Sequence, residues 1–225
     1  MFHVKHQAGS ESPLTPEGIV EAINAMAHEL GVPGLGIAIN SPTGNVLIEL
    51  SMGLWASERV GLTSYHSLQE VVGGLVLPSV AAFRWLEPDK PLDIVEIGAG
   101  AGALGLTLAL VAPSWRVTLV DRREKAVAFM EIIATRLKLA NAYPVAGDMR
   151  KRGPDAELYD AALFRAVGSP EEDLEIALGW VKPGGLCLIW TSARAEIPPD
   201  TALWSQVGAV AARDDRMSVL AFRKA

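Results

Sequence analysis

From residue 92 onward, short apolar runs alternate with longer amphipathic stretches. Residues 92–97 read as a first strand, and 103–112 as an apolar helix after a glycine-rich turn. Arg116 to Val120 read as a second strand ending at Asp121, with a helix from about Glu124 to Leu139. A third strand is expected at 142–146 and a fourth at 160–164, ending in Phe164-Arg165. A helix at 171–181 leads to the turn Lys182-Pro183-Gly184-Gly185, and Leu186 to Trp190 form the fifth strand. A helix is predicted over 201–209. Val207 to Ala212 and Met217 to Arg223 read as two strands around a turn at Asp214-Asp215. Repeated strand–helix units of this kind predict an α/β fold: a Rossmann-like doubly wound, mainly parallel sheet with right-handed crossovers.

The first third follows a different pattern. Residues 1–14 read as a flexible tail. Thr15-Pro16 is a helix start, with threonine as N-cap and proline at the first helical position. Ile19, Ile23, Met26 and Leu30 then form one apolar stripe, which Gly31 and Pro33 stop. Residues 34–60 are ambiguous: Val46, Ile48, Leu50, Met52 and Leu54 alternate like a strand, and Val46, Leu47, Leu50 and Leu54 also fit a helical face. Ser67 and Glu70 form a capping box, so a helix is expected from Ser67 to about Trp85, kinked or broken at Pro78. The turn residues 87–91 mark a junction. The expected organisation is a tail (1–14), a helical N-terminal segment (15–88) and an α/β domain (89–225).

Composition narrows the class. Half of the 225 residues are hydrophobic, enough for a sizeable core. No apolar run reaches the roughly 18 residues needed to span a membrane. The single cysteine, Cys187, lies in an apolar stretch, which fits a buried thiol in a reducing cytoplasm. A net charge of −6 argues mildly against nonspecific nucleic-acid binding. The cations are unevenly placed, however. Residues 1–95 hold only Lys5, Arg59, Arg84 and Lys90, whereas Arg122, Arg123, Lys125, Arg150, Lys151, Arg152 and Arg165 follow. This is either a local basic face or a set of solvated helix ends.

The chemistry concentrates after the first strand, at Glu96-Ile97-Gly98-Ala99-Gly100-Ala101-Gly102. Strand, glycine turn and helix in that order are the signature of a nucleotide or nucleoside site; the alternative reading of such a turn alone is a simple tight turn. Ala103 breaks the dinucleotide spacing, and no Walker lysine follows. What remains resembles motif I of class I S-adenosylmethionine (SAM) methyltransferases. Asp121 ends the second strand about twenty residues past the turn, where a carboxylate accepts ribose hydroxyls; its alternative role is a helix cap ahead of Arg122. Glu96 is placed to meet the amino-acid part of SAM or to bond loop amides. Asp148 and Met149 follow the third strand, where adenine would lie; the alternative for Met149 is loop packing. Arg165 ends the fourth strand; it stays protonated, so it does not act as a base, but it can bind carboxylate, phosphate or a base edge, and its alternative role is a salt bridge to a loop acid. His3, His6 and His66 lack ligand spacing for a metal. No G-x-S-x-G elbow is present.

With these residues placed, the sequence resembles the bacterial small-subunit rRNA 7-methylguanosine methyltransferases, also called glucose-inhibited division protein B, over residues 15–225. The likeness rests on Trp55 followed by Leu62-Thr63, on Glu96 to Leu106, and on the helix from Arg123 to Leu139. It rests further on Arg165-Ala166 and on the ending Val219-Leu220-Ala221-Phe222-Arg223-Lys224. The resemblance implies a class I SAM-dependent fold with a helical N-terminal segment, which tips residues 43–57 toward helix. It implies SAM lined by Glu96, Gly98, Ala99, Gly100, Ala103, Leu104, Asp121, Arg122, Asp148, Met149 and Arg150. Arg165 would stand at the junction with the substrate, and no general base or metal is implied. The expected acceptor is a guanine N7 of small-subunit rRNA, in the cytoplasm. The alternatives are a same-fold enzyme for a small molecule or protein, and a SAM-binding module without turnover. The sequence departs from the family at Gly74-Leu75 and Pro78-Ser79, where Arg-His and Asp-Ser are usual. It departs also at Thr107, at Arg150 and at Trp190-Thr191-Ser192. The cofactor half of the pattern is therefore fuller than the RNA-facing half.

Overall fold

The computed structural model describes residues 15–32, 36–148, 158–213 and 216–225. The expected tail at 1–14, Pro33 and the Asp214-Asp215 turn lie outside the described residues.

Seven strands form one sheet: β1 (Asp93–Ile97), β2 (Arg116–Asp121), β3 (Ala142–Ala146), β4 (Tyr159–Arg165), β5 (Val181–Ser192), β6 (Trp204–Arg213) and β7 (Met217–Lys224). Their order is β3-β2-β1-β4-β5-β7-β6. The first five are parallel, and β7 pairs antiparallel with both β5 and β6. The direction of winding reverses between β1 and β4. Ligands of such sheets bind at that point, outside the carboxyl ends of the strands.

Strand alternation sends side chains to two cores. Ile94, Val117, Leu119, Leu163 and Leu188 face one layer, and Val95, Ile97, Val120, Phe164 and Ile189 face the other. The first layer is thick. It holds α1 (Pro16–Glu29), α2 (Pro42–Ala56), α4 (Ala103–Val111) and α5 (Glu124–Arg136). The short α3 (Leu68–Val71) continues into a π-helical stretch at Val72–Val76 and a 3₁₀ stretch at Leu77–Arg84. Among the described residues, α6 (Pro170–Ala177) is the helix on the second face. α4 is buried on nearly every side, which is why its sequence is apolar all round and not striped. Phe83 packs against Trp115 with the rings tilted at 47° and 5.3 Å between centroids, tying the N-terminal helices to the sheet. No helix of the described residues is long and apolar enough to cross a membrane.

Local signals explain most boundaries. The Thr15 side chain accepts from the Gly18 N–H, and Ser67 with Glu70 forms the reciprocal capping box. Within the ambiguous stretch 34–60, Ser57–Val60 form a 3₁₀ turn and Pro42–Ala56 form α2. Its N-cap Ser41 accepts from Gly44 N, and Leu47, Leu50 and Leu54 are buried at helical spacing.

Three expectations need correction. Residues 201–209 are not a helix: Thr201 accepts the Leu203 and Trp204 N–H groups, and the chain then enters β6. The outer edge of β7 demands a hydrogen-bonding partner along its length, and that tertiary demand overrides local helix preference. The Lys182-Pro183-Gly184-Gly185 turn does not precede β5 but bulges within it. Tyr159 pairs with Val181, and Ala161 already pairs with Leu186. The helix after Ser67 is not one α-helix with a single kink. Its turns widen into π geometry before Pro78 and tighten afterwards, because Pro78 has no N–H to give to Gly74 O.

Candidate functional site

Two clefts adjoin at the carboxyl ends of β1 and β4, with Gly98 and Ala166 lining both. The larger, about 440 Å³, is lined by Asp121, Arg122, Arg123, Gly147, Asp148 and Val167 among others. The smaller, about 320 Å³, runs under Leu62–Tyr65 and includes Leu75, Glu96, Ala99, Gly100, Ala103, Leu104 and Arg165. Of the residues singled out from sequence, all but two line one or other cleft. The exceptions, Met149 and Arg150, lie outside the described residues, as do Lys151 and Arg152.

The glycine turn makes this geometry. Gly98, Gly100 and Gly102 all have positive φ, at 69°, 61° and 72°. A Cβ at Gly98 would come within 2.7 Å of Val167 Cγ2, and one at Gly102 within 2.8 Å of Met130. Those two glycines are required by packing. At Gly100 the nearest neighbour would be Arg123 Nη2 at 3.6 Å, so this position opens into the cleft. Gly105 lets α4 approach the sheet, since a Cβ there would meet Glu96 Oε2 at 2.6 Å. Opposite the turn, Ala166 holds φ at 54°, uncommon for a residue with a side chain. That twist ends β4 and sets Arg165 and Val167 on different sides of the junction between the clefts.

Glu96 is 3 % exposed, and its Oε2 accepts from Gly105 N at 2.8 Å. Burial pushes its carboxyl up to about 8. The Gly105 hydrogen bond and the Arg165 charge pull against this, and Asp121 adds to it. Asp121, 4 % exposed, behaves in the opposite way. Burial raises its carboxyl, but the hydrogen bonds from Arg123 and Gly100 outweigh burial and hold it below the usual range. Asp121 is not the N-cap of α5; that position is Arg123.

Arg165 reaches across to the N-terminal segment. Its guanidinium donates to Gly74 O and, at 3.1 Å, to Leu75 O. The indole N–H of Trp190, at the end of β5, donates to Pro78 O at 2.8 Å. The family departures at Gly74-Leu75, Pro78 and Trp190 are therefore one connected unit. The ends of β4 and β5 thus supply side-chain donors to carbonyls of the π turn and of Pro78.

Sequence reading missed Arg123, Ala166, Val167 and Leu75 as cleft residues. For Arg123 a signal exists: it stands two residues after the strand-ending acid, in range for a local side chain–backbone turn. Among the described residues, no group of three or more His, Cys, Asp or Glu could hold a metal ion.

The family model described as rRNA small subunit methyltransferase G matches residues 50–211. A relative of that name from Sorangium cellulosum is 33 % identical over 196 residues, covering 85 % of this chain and 79 % of its own length. One from Gloeobacter violaceus is 32 % identical over 140 residues, covering 61 % of this chain and 56 % of its own. For one from Nostoc punctiforme, 37 % identical over 108 residues, the shares are 47 % and 44 %, so against these two the match spans about half of the relative. Among solved structures, a SAM-dependent methyltransferase from Aquifex aeolicus has a similar fold. Its TM-score is 0.54 at 16 % identity, covering 66 % of this chain and 90 % of that one. A putative methyltransferase from Escherichia coli also scores 0.54, at 18 % identity, covering 65 % and 85 %. The sheet is thus that of the class I methyltransferases, and the chain belongs to the rRNA small subunit methyltransferase G family.

Proposed function

We propose that this protein is a SAM-dependent methyltransferase acting on small-subunit rRNA in the cytoplasm, with a guanine N7 as the acceptor atom. The observation that carries the reading is the pair of adjoining clefts astride β1 and β4, with Asp121 in one and Glu96 in the other. That division suits a nucleoside joined to a charged amino acid. Asp121 would take the ribose, Asp148 with Met149 and Arg150 the adenine side, and Glu96 with Ala99, Gly100, Ala103 and Leu104 the methionine side. Gly100 supplies a bare backbone where the ligand has to approach closely. Residues 15–88 would form the acceptor-facing segment and 89–225 the cofactor domain.

When bound, SAM supplies an activated methyl group. The protein then has to hold the acceptor in line and exclude water. Guanine N7 carries an available lone pair, so no side chain needs to remove a proton first. Arg165 and the residues of Leu62–Tyr65 line the cleft through which an acceptor reaches the junction.

A second reading, a same-fold enzyme for another acceptor, draws on the unit that joins Arg165 and Trp190 to Gly74, Leu75 and Pro78. The test is transfer of labelled methyl from SAM to small ribosomal subunits lacking native modification, beside a metabolite extract. Label in a guanine of the rRNA supports the proposal. Label only in the extract leaves the second reading, and no transfer alongside intact SAM binding leaves a binding module.

A further inference from the structure

Asp121 has its acceptor sites filled from within the chain. Oδ1 accepts from the Arg123 backbone N–H at 2.9 Å and from Arg123 Nε at 3.0 Å. Oδ2 accepts from the Gly100 N–H at 2.8 Å and from Arg123 Nη2 at 3.0 Å. An ionised carboxylate offers about four lone-pair sites, so the set is complete. Two of the four donors are backbone groups, fixed by the β2–α5 turn and the glycine turn. The other two belong to one guanidinium, which puts one N–H on each oxygen from a side chain 44 % exposed.

We propose that the Arg123 guanidinium is an internal stand-in for the ribose diol of the cofactor. Its two-pronged donor fork takes the two lone pairs that the two ribose hydroxyls need, and it swings out when the nucleoside enters. The inference rests on the cofactor reading above. Three further observations support it. Asp121 is almost fully buried, and a buried carboxylate stripped of donors is costly, so the ligand-free chain gains from a substitute. The guanidinium lies over Gly100, 3.6 Å from where a Cβ would stand, which is on the open side of the turn. Arg123 also lines the same cleft as Asp148 and Gly147, so it occupies ligand space and not the packed core. Arg123 is a positioning residue: it holds Asp121 ionised and aimed while the cleft is empty, and competes for it when the ligand arrives.

The test is calorimetric titration of the full chain and its Arg123→Ala variant with S-adenosylhomocysteine and with its 2′,3′-dideoxy analogue. Arg123→Met, which keeps the apolar stem, serves if the alanine variant unfolds. Removing the competitor should tighten S-adenosylhomocysteine by about fivefold, the scale of a partly exposed ion pair, and leave the dideoxy analogue within about twofold. An unchanged or weakened affinity for S-adenosylhomocysteine overturns the inference, and so does an equal gain for both ligands, since the effect would then ignore the diol. Binding by the natural chain with any of these outcomes spares the cofactor reading. Failure of every form to bind removes both.

Discussion

Glu96 and Asp121 sit on neighbouring strand ends with opposite electrostatic settings. Glu96, raised to about 8, is largely protonated at neutral pH. Its folded value lies above its unfolded one, so the folded state binds more protons between the two. Stability from this group is full below the ordinary carboxylate range and is lost as pH rises through about 8. Glu96→Gln should therefore flatten the decline in unfolding free energy between pH 5 and 8, which chemical denaturation at a series of pH values would measure. A decline of equal slope in the variant assigns the effect elsewhere. A cationic ligand portion beside Glu96 favours its ionised form, so cofactor binding should release a proton near pH 7 and tighten as pH rises toward 8. Titration in buffers of different ionisation enthalpy reads that proton count. On the proposed reading Asp121, held by its donors below the usual carboxylate range, is the ribose anchor. Asp121→Ala should weaken SAM by about 1.5–3 kcal/mol, and an unchanged dissociation constant would remove this residue from the site. The place of Asp121 was legible from its distance to the glycine turn. Its capture by Arg123 was not, because that depends on how the backbone turns after β2 and leaves no periodic trace.

At the scale of elements, the legible parts are those where local pattern and packing agree. Apolar β1, three glycines and apolar α4 identify themselves, because each glycine answers a steric demand of the same turn. The demands differ, and that difference can be tested. Gly100→Val should abolish cofactor binding while costing only about 1–2 kcal/mol in backbone strain, since the cleft has room for a side chain. Gly98→Val and Gly102→Val should unfold the turn itself, as Val167 and Met130 stand in the way. Equal losses of stability at all three positions would make Gly100 a packing residue too. The element that local reading could not resolve is the stretch from Ser67 to Arg84. Its departure from α geometry is stabilised by donors at the ends of β4 and β5, far away in sequence. Trp190→Phe removes the indole donor to Pro78 O in a buried site. The expected loss is about 1–3 kcal/mol in urea unfolding, and an unshifted midpoint would show that the carbonyl has another donor. The start of β6 was misread as helix for a similar reason, although Val207 to Ala212 were read as strand: only the unpaired edge of β7 demands it.

At the scale of the whole molecule, an acidic chain with a net charge of −6 has to bind a polyanion if rRNA is its acceptor. Diffuse attraction cannot do this, so the cations at the mouth of the clefts have to act locally. Arg122 lines the larger cleft beside Arg123, and both are exposed. Paired with Asp121, Arg123 spends its charge there and contributes little to the outer field. If the cofactor diol displaces it, cofactor binding turns a neutralised pair into an outward-facing cation next to the reacting junction. RNA affinity and cofactor affinity then become coupled, and the coupling has to be reciprocal. The expected outcome is that saturating S-adenosylhomocysteine tightens binding of a single-stranded rRNA fragment. The slope of log K against log salt should also steepen by about 0.7, the contribution of one added phosphate contact. In Arg123→Ala the slope should be the same with and without S-adenosylhomocysteine, because no cation is left to release. A steepening that survives the substitution would mean another cation moves, and a slope indifferent to S-adenosylhomocysteine in the natural chain would mean Arg123, once displaced, does not reach the RNA.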